Sequence, residues 1–490
     1  MPLDVATHCA DCEAEFEWIL SPGSCTCYLK VRYARFMNVS PPGFWLLAFT
    51  VGAVLVLAPA APARAEALEP LTILAIASLA VVGVLIIVSP SLLPLAPPLL
   101  LLVGCAATQE NLRVESAYVD PRTLQLGQIL HLATGRFLAE PEALDYLARF
   151  PVVYIGESHD SVDDHTVQLT VLKAMEERFP GQVALGLEML QRPFQAEANA
   201  FARGQMSEKD FQRIWQKNWS DFLYYRDILL FVRERRIPLI ALNADKTMRQ
   251  AVREHPVAAL APEAAKDLPE MDFQDPYHRA YAEAIFGGHM KGAQDPDAFY
   301  RVQVLWDETM AQTAAEYLKS PEGQGRRLVV LAGGNHVRYG FGIPRRLFRR
   351  VPLPFVIVEP YVNHSIVEVP KEKQMDVDAP MLPLRPADIY WSVNYRDLRD
   401  QRVKLGILIE DSDGTGVRVT GVLPDGPGHK AGLLKGDLIV SVDGTEVKEA
   451  FDLTYQVGLH KAGDKGTIEV LRMGERRRVP VTYDVIKHGK

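Results

Sequence analysis

The chain has 490 residues, of which 48% are hydrophobic and 23% are charged, so it is long enough for two or three folded domains. Its formal net charge of −8 excludes a general nucleic-acid-binding protein, because neutralising phosphates needs a basic surface.

The first 104 residues (1–104) are predicted to be a leader that carries membrane or signal segments. Three apolar runs lie at 44–60, 71–88 and 92–104, and no charged residue occurs at 70–109. The second run approaches the roughly 20 residues that cross a hydrocarbon core. We therefore expect this region to direct the chain to a membrane.

Two ways of anchoring the chain remain open. An Ala-Arg-Ala motif at 63–65 resembles a signal-peptidase site, and the Leu-Val-Gly-Cys sequence ending at Cys105 resembles a bacterial lipobox, in which the cysteine is lipidated. Alternatively, residues 44–104 are retained as membrane helices. Both alternatives predict a membrane-anchored protein of the bacterial cell envelope, and we favour the periplasmic face of the inner or outer membrane. The number of crossings stays open, because two full crossings would return the main domain to the cytoplasm.

The other four cysteines lie near the N-terminus. The pairs Cys9/Cys12 and Cys25/Cys27, with His8 beside them, have a spacing that can hold Zn²⁺. The segment lacks an apolar pattern that would fold around a metal, which favours an unstructured leader.

Strands alternate with helices in the next part of the chain, at 105–368. The predicted strands are 152–155, 183–190, 238–243, 327–332 and 355–359, and the main helices are 165–179, 193–203, 208–217, 225–235 and 297–319. This alternation predicts an α/β domain with a mainly parallel sheet and helices on both faces. A Pro-rich linker is predicted at 369–388, followed by a small β-rich domain at 389–490.

Polar residues cluster where the predicted strands end: Glu157, His159 and then His165 follow the first strand, Glu188 lies in the second, and His336 follows the fourth. In parallel sheets ligands bind at the carboxyl ends of the strands, so we expect one shared site. Imidazole and carboxylate groups bind Zn or Mn and also perform acid–base chemistry. As a hydrolase, the protein would use Glu157, His159, Glu188 and His336 in catalysis, with Glu157, His159 and His336 as metal ligands.

Several ordered motifs at these positions resemble one known family. The Gly-Glu-Ser-His sequence at 156–159, the Leu-Gly-Leu-Glu-Met sequence at 185–189 and the Ala-Gly-Gly-Asn-His sequence at 332–336 look like those of ChaN haem-binding lipoproteins. The likeness covers roughly residues 126–368. ChaN proteins are grouped with the Tiki, TraB and erythromycin-esterase-like proteins.

The resemblance implies two functions. ChaN-like members bind haem with a tyrosine as iron ligand and act in iron acquisition, whereas other members of the wider grouping are hydrolases or metal-dependent peptidases. Tyr339 is the favoured tyrosine because it shares a strand-end loop with His336, and His289 follows two glycines that would allow a tight loop. The expected cofactor-binding residues are therefore His159, His165, His289, His336 and Tyr339.

The C-terminal segment resembles a PDZ domain. A Gly-Asp pair at 436–437, an alternating strand and an Asp-Gly turn at 443–444 follow a first strand that begins with a Lys-Leu-Gly-Ile-Leu sequence. Backbone N–H groups of that loop are expected to hold a peptide's terminal carboxylate while the peptide adds as a strand. The expected peptide-binding residues are Lys404, Leu405, Gly406, Ile407 and Leu408.

Our leading hypothesis is a membrane-anchored haem-binding protein of iron uptake, in which the PDZ domain recruits the C-terminal peptide of an envelope protein. It is not an enzyme in this interpretation. The alternatives are a hydrolase that depends on Zn or Mn and a non-catalytic envelope scaffold. A haem site shared between subunits would make the protein a homodimer.

Overall fold

The computed structural model describes residues 14–21, 24–31, 119–289, 295–374, 382–398 and 402–486. The chain divides into two compact units, Met1–Val114 and Glu115–Lys490. In the first unit, strands β1 (Ala14–Ser21) and β2 (Ser24–Val31) form an antiparallel pair.

Several predictions for the leader concern residues outside the described part of the chain. These are the apolar runs at 44–60, 71–88 and 92–104, the motif at 63–65, Cys105, and the His8, Cys9 and Cys12 positions of the suggested zinc site. Cys25 and Cys27 lie on β2. No helix among the described residues is both long and apolar enough to cross a membrane.

An eight-stranded sheet forms the centre of the second unit, in the order β4-β3-β10-β9-β5-β8-β6-β7. Its strands are β3 (Ile129–His131), β4 (Arg136–Leu138), β5 (Val152–Ile155), β6 (Val183–Gln191), β7 (Leu239–Asn243), β8 (Arg327–Leu331), β9 (Phe355–Val362) and β10 (Ile389–Val393). The six strands from β10 to β7 pair in parallel, and the short hairpin β3–β4 joins β10 in antiparallel fashion. The predicted α/β fold with a mainly parallel sheet is confirmed.

Helices cover both faces of this sheet. They are α1 (Glu140–Leu147), α2 (Val162–Arg178), α3 (Gln195–Ala202), α4 (Glu208–Asn218), α5 (Phe222–Arg235), α6 (Lys246–Glu254), α7 (Pro262–Ala265), α8 (Pro276–His289), α9 (Pro296–Lys319), α10 (Gly334–Val337) and α11 (Ile343–Arg350). Strand β5 shows why two layers are needed. Val153 and Ile155 point into one hydrophobic core, whereas Val152 and Tyr154 point into the other, because side chains alternate along a strand.

The position of strand β10 differs from the predicted domain boundary. The boundary at 389 places this strand in the PDZ domain, but β10 pairs in parallel with β9 and antiparallel with β3 inside the α/β sheet. Its residues Ile389 and Trp391 are buried in the core of the α/β domain, which is why this short strand belongs there. The segment at 369–388 therefore leads back to the same sheet instead of separating two domains.

The C-terminal domain is a small β fold with two helices. Its elements are β11 (Val403–Lys404), β12 (Ile407–Asp411), β13 (Val417–Val422), α12 (Pro427–Ala431), β14 (Leu438–Val442), β15 (Thr445–Glu446), α13 (Ala450–Gly458), β16 (Lys465–Arg472), β17 (Glu475–Thr482) and β18 (Asp484–Val485). Strands pair in the order β12-β13-β14-β16-β17, so β12 lies at an edge. Asp443 and Gly444 have φ values of 48° and 78° in the turn between β14 and β15, as the Asp-Gly turn predicted.

The PDZ domain contacts the α/β domain through helix α13. The Arg213 guanidinium on α4 pairs with Glu449 and with Asp452, the latter at 2.7 Å, and lies 4.1 Å from the centre of the Phe451 ring. Lys209 Nζ lies 2.8 Å from the same Asp452 carboxylate. The two domains are thus joined by a charged interface rather than by a flexible linker alone.

Candidate functional site

The strands that carry the predicted site residues are neighbours in the sheet. Strand β8 lies between β5 and β6, and its last residue, Leu331, is paired with Ile155 on one side and with Leu187 on the other. The residues that follow these three positions therefore emerge side by side at one edge. This register brings Glu157 and Glu188 to the loop that starts at Gly333.

Glu157 is a buried carboxylate with partners on both oxygens. Oε1 accepts hydrogen bonds from Nδ1 of His159 at 2.6 Å and from the Tyr225 hydroxyl, and Oε2 accepts one from the Gln168 amide at 2.6 Å. Burial alone would raise the pKa of Glu157, but the nearby charge of His165 and the hydrogen bond from His159 lower it to about 2. Glu157 is therefore a fixed negative charge under the site.

His159 is the accessible residue of this group. Its side chain is 42% exposed, and its ring packs edge-on against Trp219 with ring centres 4.9 Å apart. Burial opposes protonation, but the hydrogen bond to Glu157 and the charge of Glu188 raise its pKa to about 9. At neutral pH the His159 ring is thus positively charged, and in the described structure its Nε2 has no hydrogen-bond partner.

A glycine keeps this imidazole nitrogen open. A Cβ atom at Gly333 would lie 3.0 Å from His159 Nε2 and 3.5 Å from Glu188 Oε2. The backbone N–H of Gly333 donates to the same Glu188 oxygen at 2.7 Å. The absence of a side chain therefore leaves a small opening at which a cationic imidazole and a carboxylate meet.

His336 continues the alternation of charges into the interior. Its Nε2 lies 3.4 Å from Glu188 Oε1, and its Nδ1 lies 2.6 Å from the buried Asp307 carboxylate. Burial alone would lower the pKa of His336, but Glu188 and Asp307 raise it to about 10. Burial likewise opposes ionisation of Asp307, yet the charge of His336 holds its pKa well below the usual range.

His278 completes this buried chain and its tautomer follows from its neighbours. Arg346 can only donate, and its Nη2 lies 3.3 Å from Nδ1 of His278, so that nitrogen accepts. In the neutral ring the proton is then on Nε2, which faces Asp307 at 3.3 Å. Asp307 is thereby approached by two imidazoles and fixes the orientation of His336.

The loop after β5 is held by two further buried acids. Asp164 accepts hydrogen bonds from the Ser158 N–H at 2.7 Å and from the Ser161 hydroxyl at 2.6 Å, and burial raises its pKa to about 8. Glu359 pairs with Arg338, and its Oε2 would lie 2.1 Å from a Cβ atom at Gly156. Any side chain at that glycine would collide with Glu359, so the Gly-Glu-Ser-His sequence needs its glycine for packing.

Tyr339 lies in a separate aromatic cluster at the end of the β8 loop. It stacks on Phe341 with ring centres 5.4 Å apart, and Tyr277 lies nearly parallel on the same Phe341 ring at 6.4 Å. Tyr281 packs edge-on against Tyr339 and donates from its hydroxyl to Asn335 at 3.2 Å. The aromatic cluster is therefore connected to the strand-end loop that carries His336.

Two predicted ligands are placed differently from expectation. His165 is buried, and both its nitrogens have partners, the Gln168 side chain at 2.9 Å and the His159 carbonyl at 3.3 Å, which points to a positioning role. His289 is the last residue of helix α8, so the expected tight loop at its glycines is wrong. Its side chain lies outside the described part of the structure.

The structure adds residues that the sequence did not single out as site residues. Asp307 and Gln303 lie one turn apart on α9, and the Gln303 amide is 3.1 Å from Nδ1 of His336. Trp219 and Tyr225 touch His159 and Glu157. The sequence signal for Gln303 and Asp307 was that two polar residues, one helical turn apart, share the buried face of helix α9.

The arrangement suits binding of a polar or charged group more than metal chelation. Within the described ranges, no three or more His, Cys, Asp or Glu residues are grouped so that they could hold a metal ion. Of the expected ligands, Glu157 and His159 are hydrogen-bonded to each other, and His336 is paired with Glu188 and Asp307. Zn or Mn binding thus has no support in this arrangement.

The candidate peptide site of the C-terminal domain lies between β12 and α13. Gly406 has a φ of 68°, and the carbonyls of Leu405 and Gly406 accept hydrogen bonds at 2.7 and 2.8 Å from later loops. In the described structure the N–H groups of Leu405 and Gly406 donate to no other residue. Ile407 is partly buried, Leu408 is 60% exposed and Lys404 is exposed at the loop entrance.

Together, these features define an α/β domain whose buried acids and histidines gather at one sheet edge, joined to a small β domain with a free strand edge at β12. A family model described as "Haem-binding uptake, Tiki superfamily, ChaN" matches residues 143–347, and a PDZ domain model matches residues 403–482. The chain therefore has a ChaN-like segment at 143–347 and a PDZ domain at 403–482, and both predicted resemblances are confirmed.

Individual relatives match over shorter stretches. A probable periplasmic serine endoprotease DegP-like from Pseudomonas putida is 33% identical over 111 residues, which cover 20% of this chain and 23% of that protein. The corresponding protein from a Marinomonas species is 33% identical over 99 residues, which cover 18% and 21%. The chain thus spans less than a quarter of the length of these curated relatives.

A solved structure titled "Cofacial heme binding to ChaN of Campylobacter jejuni" also matches. It shares 16% sequence identity, covers 55% of this chain and 96% of its own chain, and gives a TM-score of 0.41.

Proposed function

We propose that the α/β domain binds haem at the aromatic surface around Tyr339 and that the PDZ domain recruits the free carboxyl terminus of a partner protein. The observation that carries the haem proposal is the conformation of Tyr339. It is a non-glycine residue in the left-handed region, with φ 59° and ψ 2°, and its ring is only partly buried. Such backbone strain of about 1–3 kcal/mol is typically kept at functional sites.

The residues around Tyr339 fit a porphyrin. The rings of Tyr339, Phe341 and Tyr277 are nearly parallel, with interplanar angles of 21° and 11°, and Tyr277 is 46% exposed. Flat aromatic and apolar surfaces of this kind are what a porphyrin face packs against. Leu382 packs against the same cluster and extends its apolar surface.

The Tyr339 hydroxyl is placed where iron would have to ionise it. Burial raises the pKa of Tyr339 above its usual value, and the positive charge of the adjacent Arg338 offsets only part of this rise. In the described structure the Tyr339 hydroxyl has no hydrogen-bond partner and is free to bind. Bound haem would supply an iron(III) centre that takes an oxygen ligand.

His159 is proposed to contact an anionic group of the ligand rather than the iron. A protonated imidazole has no lone pair for a metal, and the pKa of about 9 keeps His159 protonated at neutral pH. Its open Nε2–H is a charge-assisted donor suited to a carboxylate such as a haem propionate. His336 has partners on both nitrogens and is proposed to position Glu188.

Absorbance titration tests the haem proposal. Haemin added to the full chain should give a saturable Soret shift, which Tyr339→Phe should weaken strongly and the matched control Tyr277→Phe should largely retain. A titration of the native chain that shows no more shift than an unrelated protein would refute haem binding. Equal behaviour of the native chain and Tyr339→Phe would refute the assignment of the ligand.

The PDZ proposal rests on the two unpaired N–H groups of Leu405 and Gly406 beside the free edge of β12. Oriented N–H groups in a turn bind anions, and a free strand edge accepts a peptide strand. Fluorescence anisotropy with a library of C-terminal peptides should detect binders whose affinity is lost when the terminal carboxylate is amidated. Equal binding of amidated peptides would contradict this mode.

Iron uptake, membrane anchoring and a periplasmic location complete the proposal. They are supported by the lipobox-like sequence at Cys105 and by the haem-uptake description of the matching family. Radiolabelled palmitate should be incorporated into the native chain but not into Cys105→Ser. Light scattering with and without haemin would show whether haem joins two copies of the chain.

A further inference from the structure

A second concave surface lies at the end of the α/β domain from which the strands start. Arg203 ends helix α3, and Arg233 and Arg236 lie at the end of helix α5, directly before β7. Together with Gly204, Leu230 and Glu234 they line an open hollow of about 420 Å³. Nothing in the haem or peptide proposals uses these residues.

The three arginines carry uncompensated charge. In the described part of the chain none of their guanidinium groups forms an ion pair with an acidic side chain or donates to a helix carbonyl group. Glu234 does not neutralise them, since its carboxylate lies 3.4 Å from Nε of Arg235. Three like charges around one hollow repel each other, and a bound anion would remove that cost.

Local structure orients these guanidinium groups. Arg233 lies over the Phe201 ring at 5.7 Å, and Arg236 adopts a left-handed conformation with φ 55°. Gly204, with φ 75°, has open space where a Cβ would be, so a ligand can approach the backbone there. Simple capping of the helix ends would instead show the arginines bonded to the last carbonyls.

We propose that this hollow binds a phosphate group, carried by a free phosphate compound or by a lipid headgroup. Guanidinium groups bind phosphate oxygens through paired N–H donors, and several of them around one site are typical of phosphate recognition. The volume lies in the range of about 300–1,000 Å³ found for small-molecule sites. In a chain of net charge −8, such a basic site is the exception on the surface.

The test uses the full chain in a non-ionic detergent, with Arg203→Ala and Arg236→Ala as variants and Arg249→Ala as the matched control. Arg249 is an exposed arginine on helix α6 that does not line the hollow and does not hold Glu234. Isothermal titration with inorganic phosphate measures the free anion, and co-sedimentation with phosphatidylglycerol or phosphatidylcholine vesicles measures the headgroup. Thermal unfolding of each variant shows that it is folded.

We expect each hollow variant to weaken binding about tenfold and the Arg249 control to change it about twofold or less. If the variants lose only the binding heat of inorganic phosphate, the ligand is a free phosphate compound. If they lose only co-sedimentation with anionic vesicles, the ligand is a lipid headgroup, and either result supports the site. Absence of phosphate binding together with unchanged sedimentation of both hollow variants would overturn it. An equal loss in Arg249→Ala would also overturn it, because the effect would then be diffuse charge.

Discussion

Arg213 is predicted to hold the PDZ domain in place, and its removal is the clearest test of the domain interface. The pair with Glu449 is about 40% exposed on both sides and contributes only about 0.5 kcal/mol. The Asp452 carboxylate is only 5% exposed, so that pair contributes about 1.5 kcal/mol, and the contact with Phe451 adds about 0.5–1 kcal/mol. Arg213→Ala should thus weaken domain docking by about 2.5–3 kcal/mol, roughly 60- to 150-fold.

Hydrogen exchange and small-angle X-ray scattering measure this effect. In Arg213→Ala, amides of helix α13 should exchange faster and the radius of gyration should increase, because Lys209 alone retains contact with Asp452. The matched control is Arg178→Ala, which loses a pair between helices α2 and α1, with Asp145, inside the α/β domain. If both variants show the same exchange in α13 as the native chain, the charged interface does not fix the PDZ domain.

Three further substitutions test local features of the strand-end site and of the loop before β12. Asp164→Asn should flatten the pH dependence of stability. Burial raises the pKa of Asp164 from 3.8 to about 8. The contribution of Asp164 to stability is therefore complete below about pH 4 and is lost as the pH rises through 8. Denaturant midpoints at several pH values between 4 and 9 should therefore fall less in the variant, and an identical slope would contradict the buried acid. Gly333→Ala should lower the free energy of unfolding by at most about 1 kcal/mol, because the φ of −52° at this position suits alanine. The new methyl group would nevertheless cover His159 Nε2. An unchanged nuclear magnetic resonance titration of His159 would contradict this packing. Gly406→Ala places a Cβ 2.9 Å from Ile486 at a φ of 68°. We expect the PDZ domain to lose about 1–2 kcal/mol of stability and to bind peptide at least tenfold more weakly. Peptide binding with native affinity would refute the role of this loop.

Five of the six parallel strands, β5 to β9, were predictable because each is largely buried on both faces and appears in the sequence as a short, continuous apolar run. Val152–Ile155 and Leu239–Asn243 are examples in which every residue is buried. Strand β10 and the β3–β4 hairpin were not, since β10 and β3 pair with each other although they lie far apart in the chain. Their position is fixed by tertiary pairing rather than by a local pattern.

The strand-end residues were predictable for a topological reason. Glu157, His159, Glu188 and His336 come together because adjacent parallel strands end at one edge. Asp307 was not predicted, because an acid inside a long helix resembles a surface position until its partner is known. Its contact with His336 depends on the packing of α9 against the sheet.

The roles of the aromatic residues also needed the structure. Trp219 packs against the core of the α/β domain, and its ring also lies against the exposed His159. Tyr339 was favoured among several tyrosines only for its place in the loop, and its left-handed backbone and stacked neighbours are tertiary features. A spacing in sequence carries no information about such ring contacts.

Resonance Raman spectroscopy of the haemin-loaded full chain tests the central claim most directly, because phenolate bound to iron(III) gives its own ring vibrations when excited in the ligand-to-metal band. We predict that these vibrations appear in the native chain and in Tyr277→Phe and disappear in Tyr339→Phe. Their absence from the native chain, or their persistence in Tyr339→Phe, would contradict haem ligation by Tyr339.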